Sequence, residues 1–91
     1  MSTAILIARH QVQDYGAWRA VYDSLADLRQ QYSCTGAEVM TAPDNKNDVF
    51  VIHRFPSLEA AQAFAGSSGL KEAMGRAGVT GAPRIEIAAE A

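Results

Sequence analysis

Residues 10–23, HQVQDYGAWRAVYD, bring together one of two histidines, two of three tyrosines and the single tryptophan. An imidazole is the one side chain whose ordinary pKa lies between pH 5 and 8, which makes His10 a candidate catalytic base. A phenol or enol held beside it would lose its proton to His10 while its ring stacked on Trp18. Tyr15, Trp18, Tyr22 and, from further along the chain, Phe50 would then form the wall around a small aromatic ligand. Each residue also has a plainer reading. Trp18 reads as core, His10 as a partly exposed strand-end residue, and Tyr15 and Tyr22 as boundary residues with buried rings and wet hydroxyls.

Other chemistries find little to work with. There is no HExxH, CxxC, P-loop, strand-borne GxGxxG or GxSxG, so the usual carriers of metalloprotease, nucleotide, redox-cofactor and serine-hydrolase chemistry are missing. No cofactor is expected. His10 and His53 each fall late in their own strand. In an antiparallel pair that separates them by about five residues at ~3.4 Å each, too far to share a metal ion. Cys34 is the sole cysteine and has no basic neighbour, so it reads as a bystander. Eight Lys and Arg are scattered singly in a chain of net charge −2, which leaves no footprint for nucleic acid. The apolar run at 4–8 is too short for a membrane span or a leader, and a reducing cytoplasm is the expected address.

The elements that must position these residues follow from periodicity. Residues 3–12 read as a strand. Asp14 is a good N-cap for a helix of about five turns, in which Trp18, Val21, Leu25, Leu28 and Tyr32 share one stripe. Residues 37–42 are a weak strand, PDNKND at 43–48 a turn cluster, and 49–55 a strong strand. Ser57 caps a second helix with Leu58, Ala61, Phe64 and Ala65 inward. The helix breaks near Gly66–Gly69 with a fresh cap at Ser67 or Ser68, then resumes through Leu70, Ala73, Met74 and Ala77 to Gly78. "VTGAP" is a loop and 84–89 the last strand. Five of seven glycines follow residue 65; they serve as caps and turns, or as the yielding side of a ligand cleft.

The order β-α-β-β-α-β is the ferredoxin-like α+β pattern, here in one domain over 1–91, with the first and third strands central in a four-stranded antiparallel sheet. Runs 4–8 and 49–52 are apolar at consecutive positions, as strands buried on both faces should be. Two helices cover one face only. Ile5 and Ile7 share one side of the first strand, Leu6 and Ala8 the other. A second copy of the sheet is the cheapest cover for the remaining face, so a homodimer is expected.

The strand–helix junction HQVQDYGAWRAVYD, the strand NDVFVIHRF and the stretch LKEAMGRAGVTGAP, in that order and spacing, resemble the dimeric α/β-barrel superfamily. Within it they resemble the small bacterial proteins of the antibiotic-biosynthesis-monooxygenase-like and cyclase type. The resemblance covers nearly the whole chain. It implies two sheets packed face to face, and a cofactor-independent monooxygenase, cyclase or isomerase acting on a small aromatic or polyketide-like molecule. A superfamily with several chemistries does not select one reaction. A non-catalytic homodimer that binds a small ligand or serves a structural role is the competing reading.

Overall fold

The two runs that are apolar at consecutive positions form the middle of the sheet. In the computed structural model, which describes residues 3–91, the elements run β1 (Ala4–Val12), α1 (Tyr15–Asp23), α2 (Ala26–Gln31), β2 (Gly36–Ala42), β3 (Asn45–Phe55), α3 (Leu58–Ala65), α4 (Ser68–Arg76) and β4 (Val79–Ala89). The antiparallel sheet has the order β2-β3-β1-β4. This is the ferredoxin-like α+β arrangement, with each helical segment divided in two.

Local chemistry accounts for the divisions. Asp14 Oδ2 accepts the Ala17 amide at 2.8 Å and starts α1. The five-turn helix expected after it breaks at Ser24 and Leu25. There the Ser24 hydroxyl donates to the Val21 carbonyl at 2.6 Å, and the Leu25 amide bonds three residues back to Tyr22. Both bonds tighten the chain into a turn. At the far end of α2, Ser33 takes a positive φ of 64°. The bonds Cys34 to Arg29 and Ser33 to Gln30 close that end as a Schellman motif. Ser57 and Ser67 cap α3 and α4 by accepting the amides of Ala60 and Leu70. Leu58, expected inward, is 41% exposed; Ala61 and Phe64 carry the buried face of α3.

Two strands are longer than the sequence indicated. Residues 45–48 continue β3, because the Pro43–Asp44 turn already closes the hairpin with Ala42 opposite Asn45. β4 begins at Val79, and what was read as the loop VTGAP is strand with a register shift between Arg9 and Gln11 on β1. Gly81, at φ 72°, lies in that irregularity and adopts a conformation few other residues reach cheaply.

Strand parity sorts the side chains. Ala4, Leu6, Ala8 and His10 of β1 and Val49, Val51, His53 and Phe55 of β3 are buried beneath the helices. They pack there with Trp18, Tyr22, Ala61 and Phe64. The alternate positions Ile5, Ile7, Phe50 and Ile52 are partly buried, and Met40, which pairs with Phe50 across the sheet, is 49% exposed. No described helix covers that second face. No described helix is long and apolar enough to cross a membrane.

Candidate functional site

A cavity of about 50 Å³ lies between the helices and the covered face of the sheet. Leu6, Ala8 and His10 of β1 and Val51 and His53 of β3 form its floor. Trp18, Val21 and Tyr22 of α1, Arg29 of α2 and Leu70, Ala73 and Met74 of α4 form its roof. Since a water needs on the order of 10–15 Å³, the space holds a few waters. A groove of about 480 Å³ runs between α4 and β4 and shares the walls Leu70, Met74 and Ile85 with the cavity. These three side chains stand between the interior and solvent.

His10 is 7% exposed, and neither ring nitrogen has a hydrogen-bond partner among the described residues. Parity explains its position: it follows Leu6 and Ala8 on the covered face. Burial lowers its pKa, against a smaller opposing pull from Asp48, so the ring is neutral at pH 7 and one nitrogen is a free acceptor. A buried polar group without a partner costs about 1–3 kcal/mol. His10 therefore carries an unmet demand for a donor in an apolar cavity.

The opposite end holds a pair that sequence reasoning missed. His53 was weighed only as a partner for His10 in a metal site, yet its Nε2 lies 2.9 Å from the Tyr22 hydroxyl. Their rings are parallel to within 1°. His53 is 4% exposed, its Nδ1 has no partner among the described residues, and burial drives its pKa down to about 4. Burial raises the pKa of Tyr22, partly offset by Arg29. The Arg29 guanidinium sits 4.3 Å over the Tyr22 ring and donates to the Tyr22 carbonyl at 3.0 Å. The signal for His53 was present in the sequence, because it alternates with Val49, Val51 and Phe55 as an inward polar residue in an apolar strand.

His10, Trp18 and Tyr22 thus line one cavity. Trp18 is 4% exposed and stacks with Tyr22 at 4.9 Å and Tyr15 at 5.9 Å, with His10 5.6 Å away. Its wall is a stack already formed by the protein's own rings. Tyr22 is buried and its hydroxyl is not wet, contrary to the boundary reading. Tyr15 lies behind Trp18, outside the cavity lining, and its amide donates to Asn47 Oδ1 at 2.9 Å. Phe50 is not brought to the cavity. It pairs with Arg9, one position out of phase with His10, and so faces the other side of the sheet. There the Arg9 guanidinium lies 4.7 Å over its ring while holding Asp48 at 2.8 Å. His10 and His53 are separated by four residues of register, about 13 Å along the strands. No group of three or more metal-ligating side chains exists among the described residues.

No family model and no curated protein matches the sequence. Solved structures do match. An antibiotic biosynthesis monooxygenase-like protein from Bordetella bronchiseptica aligns over 97% of this chain and 96% of its own, with a TM-score of 0.81 at 13% identity. SnoaB, a cofactor-independent oxygenase from Streptomyces nogalater, aligns over 96% and 91%, with a TM-score of 0.78 at 13% identity. The chain has the antibiotic biosynthesis monooxygenase-like fold. A third protein with this fold, from Caulobacter crescentus, aligns over 96% and 88% at 19% identity, with a TM-score of 0.77. At such identities the likeness carries the fold and selects no reaction, because chemistry resides in side chains and not in topology.

Proposed function

We propose that this chain is a cofactor-independent enzyme that removes a proton from a small phenolic or enolic aromatic molecule bound between helices and sheet. His10 is the base. The observation that carries this reading is the burial of His10 in an apolar cavity with both ring nitrogens unpartnered. A hydroxyl donated to one nitrogen relieves the unmet hydrogen bond, and a neutral imidazole accepts the proton. Trp18 and Tyr22 supply the aromatic wall, and Tyr15 braces Trp18 from behind.

Monooxygenation is the favoured outcome. Proton loss leaves the electron pair on an electron-rich ring carbon, which dioxygen oxidises. One oxygen atom stays on that carbon and the other leaves as water, so a ring CH2 plus O2 gives a carbonyl plus H2O. The fold shared with SnoaB supports this class. An aromatic guest exceeds 50 Å³, so entry requires Leu70 and Met74 to swing into the adjoining groove; an unbranched Met does so readily. The working unit is a homodimer whose apolar faces, with Ile5, Ile7, Phe50 and Ile52, pack together as in a dimeric α/β barrel.

The small cavity volume favours a second reading, a non-catalytic dimer that holds a small apolar ligand. Dioxygen uptake with a panel of hydroxylated naphthalenes and enolisable aryl ketones separates the two. The enzyme reading expects uptake by wild type and none by His10→Leu. Binding without uptake for every compound supports the non-catalytic reading.

A further inference from the structure

Tyr22 and His53 face the same cavity as His10 from its other end, and the base chemistry above leaves their polar atoms unused. Trp18 stands between the two ends, 5.6 Å from His10 and 4.9 Å from Tyr22. The bond between the Tyr22 hydroxyl and His53 Nε2 can run either way. With the proton on Nδ1, the tyrosine donates to Nε2 and a buried N–H is left with no acceptor. With the proton on Nε2, the imidazole donates to the tyrosine oxygen, and the Tyr22 O–H and a lone pair on Nδ1 are left without partners. Each arrangement leaves one donor unpaired, and a ligand oxygen in the cavity that accepts the Tyr22 O–H selects the second, since both donors are then paired. The hydroxyl hydrogen of Tyr22 is free for that oxygen, since His53 is its one partner among the described residues.

We propose that His53 Nε2–H donates to the Tyr22 oxygen and thereby aims the Tyr22 hydroxyl into the cavity as a donor to a carbonyl or enolate oxygen of the ligand. This rests on the ligand site proposed above and narrows its substrate class. The ligand carries an ionisable hydroxyl or enol at the His10 end and a carbonyl at the Tyr22 end, on opposite sides of one ring system. Negative charge released at His10 moves through the conjugated ring to the oxygen that Tyr22 holds. Two features strengthen the donor. The His53 bond polarises the hydroxyl cooperatively, and the positive Arg29 guanidinium over the tyrosine ring draws electron density from it and makes the O–H a stronger donor. Tyr22 is the oxyanion donor and His53 its positioning residue.

Two measurements test this. In the 6-hydroxy-1-tetralone complex of 15N-labelled wild type, the ring of His53 should show a pyrrole-like Nε2 and a pyridine-like Nδ1; the reverse assignment in the complex overturns the proposal. Binding of 6-hydroxy-1-tetralone is then compared with that of tetrahydro-2-naphthol, which has the same shape but no carbonyl. Wild type should prefer the ketone about tenfold, as one buried hydrogen bond provides, and the bound carbonyl stretch should fall. Tyr22→Phe should erase both effects, while His53→Gln, which keeps a donor at the Nε2 position, should retain them. If both compounds bind with no preference, or with one that Tyr22→Phe leaves intact, the donor role is wrong and the cavity site stands. If neither compound binds, both the donor role and the site fail.

Discussion

The Tyr22 hydroxyl and His53 Nε2 are 2.9 Å apart in a buried, ring-parallel pair that ties α1 to β3. Removing the hydroxyl leaves His53 with no hydrogen bond at either nitrogen, because Nδ1 already lacks one. Tyr22→Phe should therefore lower stability by about 1–3 kcal/mol, the cost of stranding a buried polar partner. Urea denaturation of the two proteins checks it, and an unchanged midpoint would mean that the pair contributes nothing.

Acid should destabilise the protein through the same residue. The folded-state pKa of His53 is about 4, against an ordinary 6.5. The unfolded chain therefore binds the proton first as pH falls. The stability contribution is complete above pH about 6.5 and declines through the window down to about 4. The loss is on the order of 3 kcal/mol. His10, also shifted downward by burial, adds in the same direction. His53→Gln should flatten this part of the pH–stability curve; an identical slope in wild type and variant would assign the acid sensitivity elsewhere.

Trp18 is packed on the Tyr15 and Tyr22 rings and buried to 4% exposure. Truncation to Ala should cost ~3–5 kcal/mol, as loss of a large core aromatic does. Thermal or chemical unfolding reads this directly. A cost near zero would place the indole on a wet surface.

On the second face of the sheet, Ile5 lies beside Ile7, opposite Arg54 on β3. Wild type should sediment as a homodimer at micromolar concentration, and Ile5→Asp should shift it to monomer, because a carboxylate there would be desolvated without a partner. A stable wild-type monomer, or a variant that dimerises as well as wild type, would remove the face-to-face barrel.

Strand order was legible because double apolarity marks a central strand without reference to anything distant, and β1 and β3 are indeed central. The helix starts at Asp14, Ser57 and Ser67 were legible for the same local reason: each cap bond closes within three residues. The break at Ser24 escaped because the apolar stripe runs on through Leu25 and Leu28, and periodicity does not register one serine hydroxyl turning back on Val21. Phe50 and His53 escaped for a shared reason. They lie three residues apart on β3, so parity sends them to opposite faces, whereas position along the strand suggested Phe50 for the His10 end and gave His53 no role. The size of the cavity depends on how α4 sits over the sheet, which no pattern along the chain encodes.

His10 decides the central claim, that this cavity binds a hydroxylated aromatic through the buried imidazole. Calorimetric binding of 1-naphthol and of its methyl ether, to wild type and to His10→Leu, measures it most directly. The variant should be at least as stable as wild type, since it removes two unpartnered buried nitrogens. Wild type should prefer the naphthol by about tenfold, the worth of one buried hydrogen bond, and His10→Leu should bind both compounds alike. A preference that persists in His10→Leu, an absence of binding to wild type, or a variant that no longer folds would contradict the account and return His10 to the framework of the sheet.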